Sequence, residues 1–323
     1  MIACLTALAL GAAGAFAVSL FGSRLGLLDH PKARSSHSKA IAKGGGIGIA
    51  AAFLVTALRA PLPPAFWLPL TILAGLALLG DIVEIPPRLR LPGQVVLAGI
   101  VVAGAAGGFS PGPAGILKDL GWIVFIVGTA NFYNFMDGID GIAGITGAVA
   151  FGLLAVETAA ARPEIGLLAA CMASACLGFL PFNLPRARVF MGDVGSILLG
   201  AAFAGLVFLA SRTWTDVLCL SSLLLPFYAD ELGTMFVRLR SGEDLTRPHR
   251  RHVYQLLANE WGLPHGRIAA GYGLLQIAAA VSVLAVKRSG PAAAAAVAAA
   301  WLGLFILGGA WIRRRTARTH LST

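Results

Sequence analysis

Val194-Gly-Ser-Ile-Leu-Leu-Gly-Ala-Ala-Phe-Ala-Gly-Leu-Val-Phe-Leu-Ala-Ser211 runs between Asp193 and Arg212 without a charged side chain. A helix needs about 20 mainly apolar residues to cross a bilayer, and this stretch reads as such a span. Ten others read the same way, at about 1–20, 42–58, 66–80, 94–109, 117–133, 140–160, 165–181, 214–229, 266–286 and 290–312. The expected fold is all-α: a polytopic membrane bundle of about eleven transmembrane helices, forming one domain over residues 1–323 with no soluble part.

Composition agrees. The chain is 57% hydrophobic and 12% charged, with mean hydropathy +0.80. A soluble domain carries about 25% charged residues. Forty glycines suit close helix packing in lipid. The net charge of +10 sits in short segments between apolar runs. It therefore signals topology and anionic lipid rather than nucleic acid. Cys4, Cys171, Cys176 and Cys219 lie in apolar stretches without metal-ligand spacing. The apolar start, Met1 to Leu20, lacks a basic leader and reads as a first span rather than a cleaved signal.

Lys and Arg set the orientation. Arg59, Lys118, Arg162, Arg212, Lys287 and Arg288 fall on one side, and the rest of the chain's 25 on the other. The rich side is expected to be cytoplasmic, with the N-terminus outside and the C-terminus inside. All acids except Asp119, Glu157, Glu164 and Asp216 share that side. Orientation alone does not ask for acids, so a face carrying both signs reads as a site. Its loops cover about 21–43, 80–93, 131–141, 182–196 and 230–265.

Five motifs lie there. In Asn131-Phe-Tyr-Asn134-Phe-Met-Asp137-Gly-Ile-Asp140-Gly141, two carboxylates three apart share a helical face. A divalent cation or a catalytic proton offsets their cost at the membrane edge; a plain cap and turn ending on glycines is the bland alternative. Arg186-Ala-Arg188-Val-Phe-Met-Gly192-Asp193-Val-Gly-Ser196 opens a helix on a glycine-flanked turn. Helix N-termini favour phosphate, and Asp193 is a hard oxygen ligand for Mg2+; a simple N-cap has the same spelling. Gly80-Asp81-Ile-Val-Glu84-Ile-Pro-Pro-Arg88-Leu-Arg90 offers acids and arginines for phosphate, or for structural ion pairs. Asp29-His-Pro-Lys32-Ala-Arg34-Ser-Ser-His37, followed by Lys43-Gly-Gly-Gly46, suits a pyrophosphate or a solvated basic loop. Last come Asp230-Glu231 and Arg247-Pro-His249-Arg250-Arg251-His252-Val-Tyr254. Neighbouring cations are expected to depress these histidine pKa values, which favours donors to phosphate over metal ligands.

Asn-Phe-Met-Asp137-Gly-Ile-Asp140-Gly, Phe190-Met-Gly-Asp193-Val-Gly-Ser196, Asp29-x-Pro-x-x-Arg34-x-x-His37 and the His249/His252 loop resemble the polyprenyl-phosphate N-acetylhexosamine-1-phosphate transferases, glycosyltransferase family 4. The resemblance implies a UDP-N-acetylhexosamine donor, an undecaprenyl or other polyprenyl phosphate acceptor, and Mg2+, with Mn2+ as a substitute. It implies Asp193 as metal ligand and three catalytic residues: Asp81, which meets the lipid phosphate or acts as base, and Asp137 and Asp140, the nucleotide-side acids. Lys32, Arg34, His37, Glu84, Arg88, Asn131, Asn134, Asn183, Arg188, His249, Arg250 and His252 are then candidate substrate-binding residues. The wording looks most like the initiators of O-antigen and surface polysaccharide at the bacterial inner membrane. A homodimer is compatible with it. Two positions depart from the pattern: Gly80 stands where paired aspartates usually begin, and the histidine motif is not a triple histidine.

Two rival readings weigh less. A CDP-alcohol phosphatidyltransferase requires an Asp-Gly-x-x-Ala-Arg block, absent here. A secondary transporter requires mid-bilayer polar residues and repeated halves, whereas these acids sit at span ends and no repeat is found.

Overall fold

The computed structural model describes residues 1–31, 40–83, 85–245 and 249–321. Helix covers most of each expected apolar stretch. The order is α1 (Ile2–Phe21), α2 (Ile47–Ala57), α3 (Pro64–Ile82), α4 (Pro87–Ala106), α5 (Gly112–Phe135), α6 (Ile142–Thr158) and α7 (Pro163–Asn183). There follow α8 (Asp193–Ala210), α9 (Trp214–Ser221), α10 (Leu225–Arg240), α11 (Val253–Asn259), α12 (His265–Ala285) and α13 (Pro291–Leu321).

Among the described residues eight helices are long and apolar enough to cross a membrane: α1, α3, α4, α5, α7, α8, α12 and α13. The expected count of about eleven exceeds this for identifiable reasons. α2 and α6 are apolar but short. α2 begins at Ile47 rather than near 42, because Gly45 and Gly46 donate their amides to the carbonyls of Phe190 and Met191 at 2.9 and 2.8 Å. The stretch expected at 214–229 is interrupted by a 3-10 turn over Ser222–Leu224, and the next helix starts at Leu225 with Pro226 in its first turn. Among the described residues one element departs from all-α: the two-residue strands β1 (Leu28–Asp29) and β2 (Ile41–Ala42) pair antiparallel, and Ala42 bridges to Val189.

α8 is the axis of the bundle. Every residue from Val194 to Val207 is buried, and α8 packs on α3 and α5. α1 packs on α7 and α2, α6 on α7 and α12, and α13 on α10 and α12.

Ion pairs among the described residues divide into two sets that do not mix. Lys287 joins Glu157 at 3.4 Å and Asp216 at 3.3 Å, and Arg162 joins Glu164 at 2.8 Å. All of these belong to the Lys/Arg-poor side of the sequence. Lys43–Asp81, Arg90–Asp193, His265–Asp140 and Arg313–Asp230 belong to the rich side. The helices thus carry the two charge sets to separate contacts, as an alternating up-and-down path requires.

Candidate active site

The site forms where α8 begins. Gly192, with φ +76°, turns the chain into the helix. A side chain there would stand 2.6 Å from the Gly44 amide nitrogen and 2.8 Å from Asp81 Oδ2. Asp81, at the end of α3, is 4% exposed. Its Oδ1 accepts from the amide of Asp193 at 3.1 Å and its Oδ2 from that of Val194 at 3.0 Å. Lys43 Nζ lies 4.0 Å from Asp81 Oδ1. The glycine segment after Lys43 and the two acidic motifs therefore share one corner.

Asp193 projects from the first turn of α8. Arg90 Nη2 reaches its Oδ2 at 2.6 Å, and Asn134 Nδ2 donates to its Oδ1 at 2.8 Å. Asn134 Nδ2 is also 2.9 Å from Ser196 Oγ. One turn earlier on α5, Asn131 donates to Gln94 Oε1 at 2.6 Å, tying α5 to α4.

Asp137 sits on the turn after α5. Among the described residues no group donates a hydrogen bond to its carboxylate. Burial, then repulsion from Asp193, Asp81 and Asp140, pushes its pKa up to about 7. Asp140 lies against His265, the first residue of α12: Asp140 Oδ2 is 3.2 Å from His265 Nδ1. Asn183 spends both ends of its amide on backbone, accepting from Gly141 N at 2.6 Å and donating to Val189 O at 3.0 Å. It joins the Asp137 turn to the segment leading into Asp193.

The histidine loop reaches this turn through Tyr254 rather than through a histidine. The Tyr254 hydroxyl donates to Phe135 O at 3.0 Å, and the ring stands over Gly138, where a Cβ would come within 2.2 Å of the hydroxyl oxygen. His252 is 2% exposed, with Nε2 3.4 Å from Glu231 Oε2 and its ring stacked on Tyr254. His249 packs on His252, ring centroids 4.8 Å apart. The His249 pKa drops to about 4, by burial first and then by His252, Arg238 and Arg251. The direction is the one expected, with burial ahead of the cations.

Asp230, 1% exposed, anchors this loop. It accepts from Val253 N at 2.8 Å and from the Tyr272 hydroxyl at 2.6 Å. Arg188 lies over the Phe182 ring and donates to Pro181 O at 3.1 Å. Arg88 is exposed, and Arg250 is half-buried with interactions of its own. Lys32, Arg34, His37 and Glu84 lie outside the described residues.

The sequence offers Arg90, like Arg88, to phosphate or to the acids, and the fold pairs it with Asp193; Tyr254 and His265 are not among the expected site residues. Arg90 had a signal, its place two residues after Arg88. Tyr254 and His265 had none beyond their nearness to the histidine loop.

The donor set suits a cation shared with a substrate. No three His, Cys, Asp or Glu among the described residues form a metal cage. Mg2+ takes one or two carboxylates plus substrate phosphates, and Asp193 with the unpartnered Asp137 meets that description. Carboxylates, a guanidinium and a helix N-terminus thus gather at one end of the bundle.

The family model for glycosyl transferase family 4 matches residues 64–211, from the start of α3 past the end of α8. A phospho-N-acetylmuramoyl-pentapeptide-transferase of Moorella thermoacetica is 32% identical over 217 residues, which cover 58% of this chain and 66% of that enzyme. A decaprenyl-phosphate N-acetylglucosaminephosphotransferase of Mycobacterium tuberculosis is 27% identical over 345 residues, 90% of this chain and 83% of the relative. A phospho-N-acetylmuramoyl-pentapeptide-transferase of Synechococcus is 54% identical over 52 residues, 16% of this chain and 15% of the relative. The chain belongs to glycosyltransferase family 4, the polyprenyl-phosphate N-acetylhexosamine-1-phosphate transferases. It is a multi-pass membrane protein of a transferase family.

Proposed function

We propose that the chain moves N-acetylhexosamine-1-phosphate from a UDP-N-acetylhexosamine to undecaprenyl or a related polyprenyl phosphate. The products are polyprenyl-diphospho-N-acetylhexosamine and UMP, the first membrane step of a cell-envelope polysaccharide such as O-antigen. The site faces the cytoplasm of a bacterial inner membrane, with the N-terminus outside. The observation that carries this reading is the gathering of Asp81, Asp137 and Asp193 with Arg90 at the N-terminus of α8.

An oxygen of the acceptor phosphate attacks the β-phosphorus of the donor. The new phosphorus–oxygen bond forms as the bond to UMP breaks. A phosphate with a second pKa near 6 is mostly dianionic at pH 7, so attack does not demand a base. Asp81 orders the amides of Asp193 and Val194. Arg90, held by Asp193, is placed to meet the negative charge that develops on the departing UMP. Asp137 and Asp140 line the nucleotide side. Mg2+, held by Asp193 with the Asp137 carboxylate close by, would neutralise charge on the diphosphate.

The near full-length match to the mycobacterial relative favours N-acetylglucosamine. The Moorella relative supports a second reading, in which the donor is the muramoyl-pentapeptide nucleotide. A panel of UDP-sugars offered to polyprenyl phosphate in detergent, with UMP release and lipid-product mass recorded, separates the two. No UMP from any donor defeats both.

A further inference from the structure

The turn carrying Asp137 and Asp140 is fastened by a residue outside every motif quoted above. His265 opens α12. Its Nδ1 lies 3.3 Å from the backbone nitrogen of Asp140 and 3.2 Å from Asp140 Oδ2. Both side chains reach solvent, His265 at 24% and Asp140 at 16%. The pair therefore belongs to the wall of the site rather than to the bundle interior. Among the described residues Asp140 Oδ1 accepts no hydrogen bond, so one carboxylate oxygen is held and the other is open.

We propose that His265 is a positioning residue: it fixes the Asp140 carboxylate for the nucleotide part of the donor. This rests on the transferase reading above. One ring nitrogen faces an amide N–H and a carboxylate oxygen together. Neutral, it accepts from the amide; protonated, it donates to the carboxylate. Either state ties the ring to Asp140. Asn183 holds the next amide, that of Gly141, at 2.6 Å, so the turn is gripped at two successive residues. A carboxylate ordered before the ligand arrives does not lose that freedom on binding.

The test uses the full-length chain in detergent, with UDP-GlcNAc and polyprenyl phosphate as substrates. A misplacement of about 1 Å can cost roughly a hundredfold, and a lost tether to a surface carboxylate is expected to cost about tenfold. His265→Ala should raise KM for the UDP-sugar by that factor and leave KM for polyprenyl phosphate unchanged. His265→Asn, whose amide reaches the place of Nδ1, should restore most of it. Because residues in contact do not act additively, His265→Ala on an Asp140→Ala background should add less than about twofold. An unchanged donor KM in His265→Ala overturns the assignment. So does equal damage in the Ala and Asn variants that follows a fall in Tm, or full additivity with Asp140→Ala. If the unaltered chain transfers no sugar, the transferase reading fails. Calorimetric binding of UMP then still decides the role of His265, and an equal Kd in wild type and His265→Ala rejects it.

Discussion

The Asp81 carboxylate spans the first two amides of α8, bonding the backbone of Asp193 at 3.1 Å and that of Val194 at 3.0 Å. A side chain at a helix N-terminus is worth about 1–2 kcal/mol, so Asp81 carries structure as well as charge. Asp81→Ala is expected to lower Tm and transfer together. Asp81→Asn keeps the shape and one acceptor oxygen, so UDP-sugar binding should persist while transfer slows. Differential scanning fluorimetry and calorimetric donor binding check this. Loss of donor binding in Asp81→Asn alone would contradict it.

Asp193 meets Arg90 and Asn134 at once. Asp193→Ala should abolish UMP release at any Mg2+ concentration. Arg90 then has no carboxylate to hold it against the α8 terminus. Arg90→Lys keeps a point charge but loses the planar fork, and should retain only a small fraction of activity. Wild-type turnover by Asp193→Ala in Mg2+ refutes its role as metal ligand.

Asp137 sets a pH slope. Its carboxyl holds a proton up to about pH 7, whereas the unfolded chain releases it near 3.8. Between those values the fold binds more proton than the unfolded chain. The contribution of Asp137 to stability without divalent cation should therefore fall as pH rises from about 4 to about 7. Asp137→Asn should remove that falling share from a Tm-against-pH curve, while Glu231 and His249 keep their own contributions. Mg2+ should lift the wild-type Tm most at the alkaline end, where the carboxylate is charged. An Asn variant whose curve has the same slope as wild type across the window defeats the argument.

Gly138 and Tyr254 form a size pair. A methyl at Gly138 would stand 2.2 Å from the Tyr254 hydroxyl oxygen and 3.1 Å from the carbon that bears it. Gly138→Ala should cut transfer at least about tenfold by pushing the Asp137 turn from its seat. Tyr254→Phe removes the clashing oxygen, although it also loses the bond to Phe135 O. Gly138→Ala with Tyr254→Phe should therefore outperform Gly138→Ala alone in a UMP-release assay. A double variant no better than the single one argues against this contact as the cause.

The path of the chain was readable because apolar length alone identifies a span. Val194–Ser211 and Ile2–Phe21 declare themselves in that way. Length gave no warning at Ser222–Leu224, where a 3-10 turn breaks a stretch that is apolar by composition. The acidic motifs were readable because carboxylates at a membrane edge are costly without a task. Their partnering was not. Nothing local tells that Asp81 bonds the amides of residues 193 and 194, or that His265 meets Asp140. Those contacts depend on α3, α8 and α12 meeting in space. The burial of His252 was equally hidden: its arginine neighbours suggest a donor to phosphate, and only the fold shows it packed at 2% exposure against Glu231.

α8 is enclosed along its length, and Gly200 lets it lie against α5: a side chain there would stand 2.5 Å from Thr129 O and 2.7 Å from Ala130 Cα. Gly200 is seven residues from Asp193, roughly 10 Å along the helix. The same two helices present Asp193 and Asn134. A bulky substitution at Gly200 would act as a wedge deep in the scaffold and spread those two tips apart. An inactive variant with its lesion a full two turns beneath the chemistry is therefore an expected product of random mutagenesis.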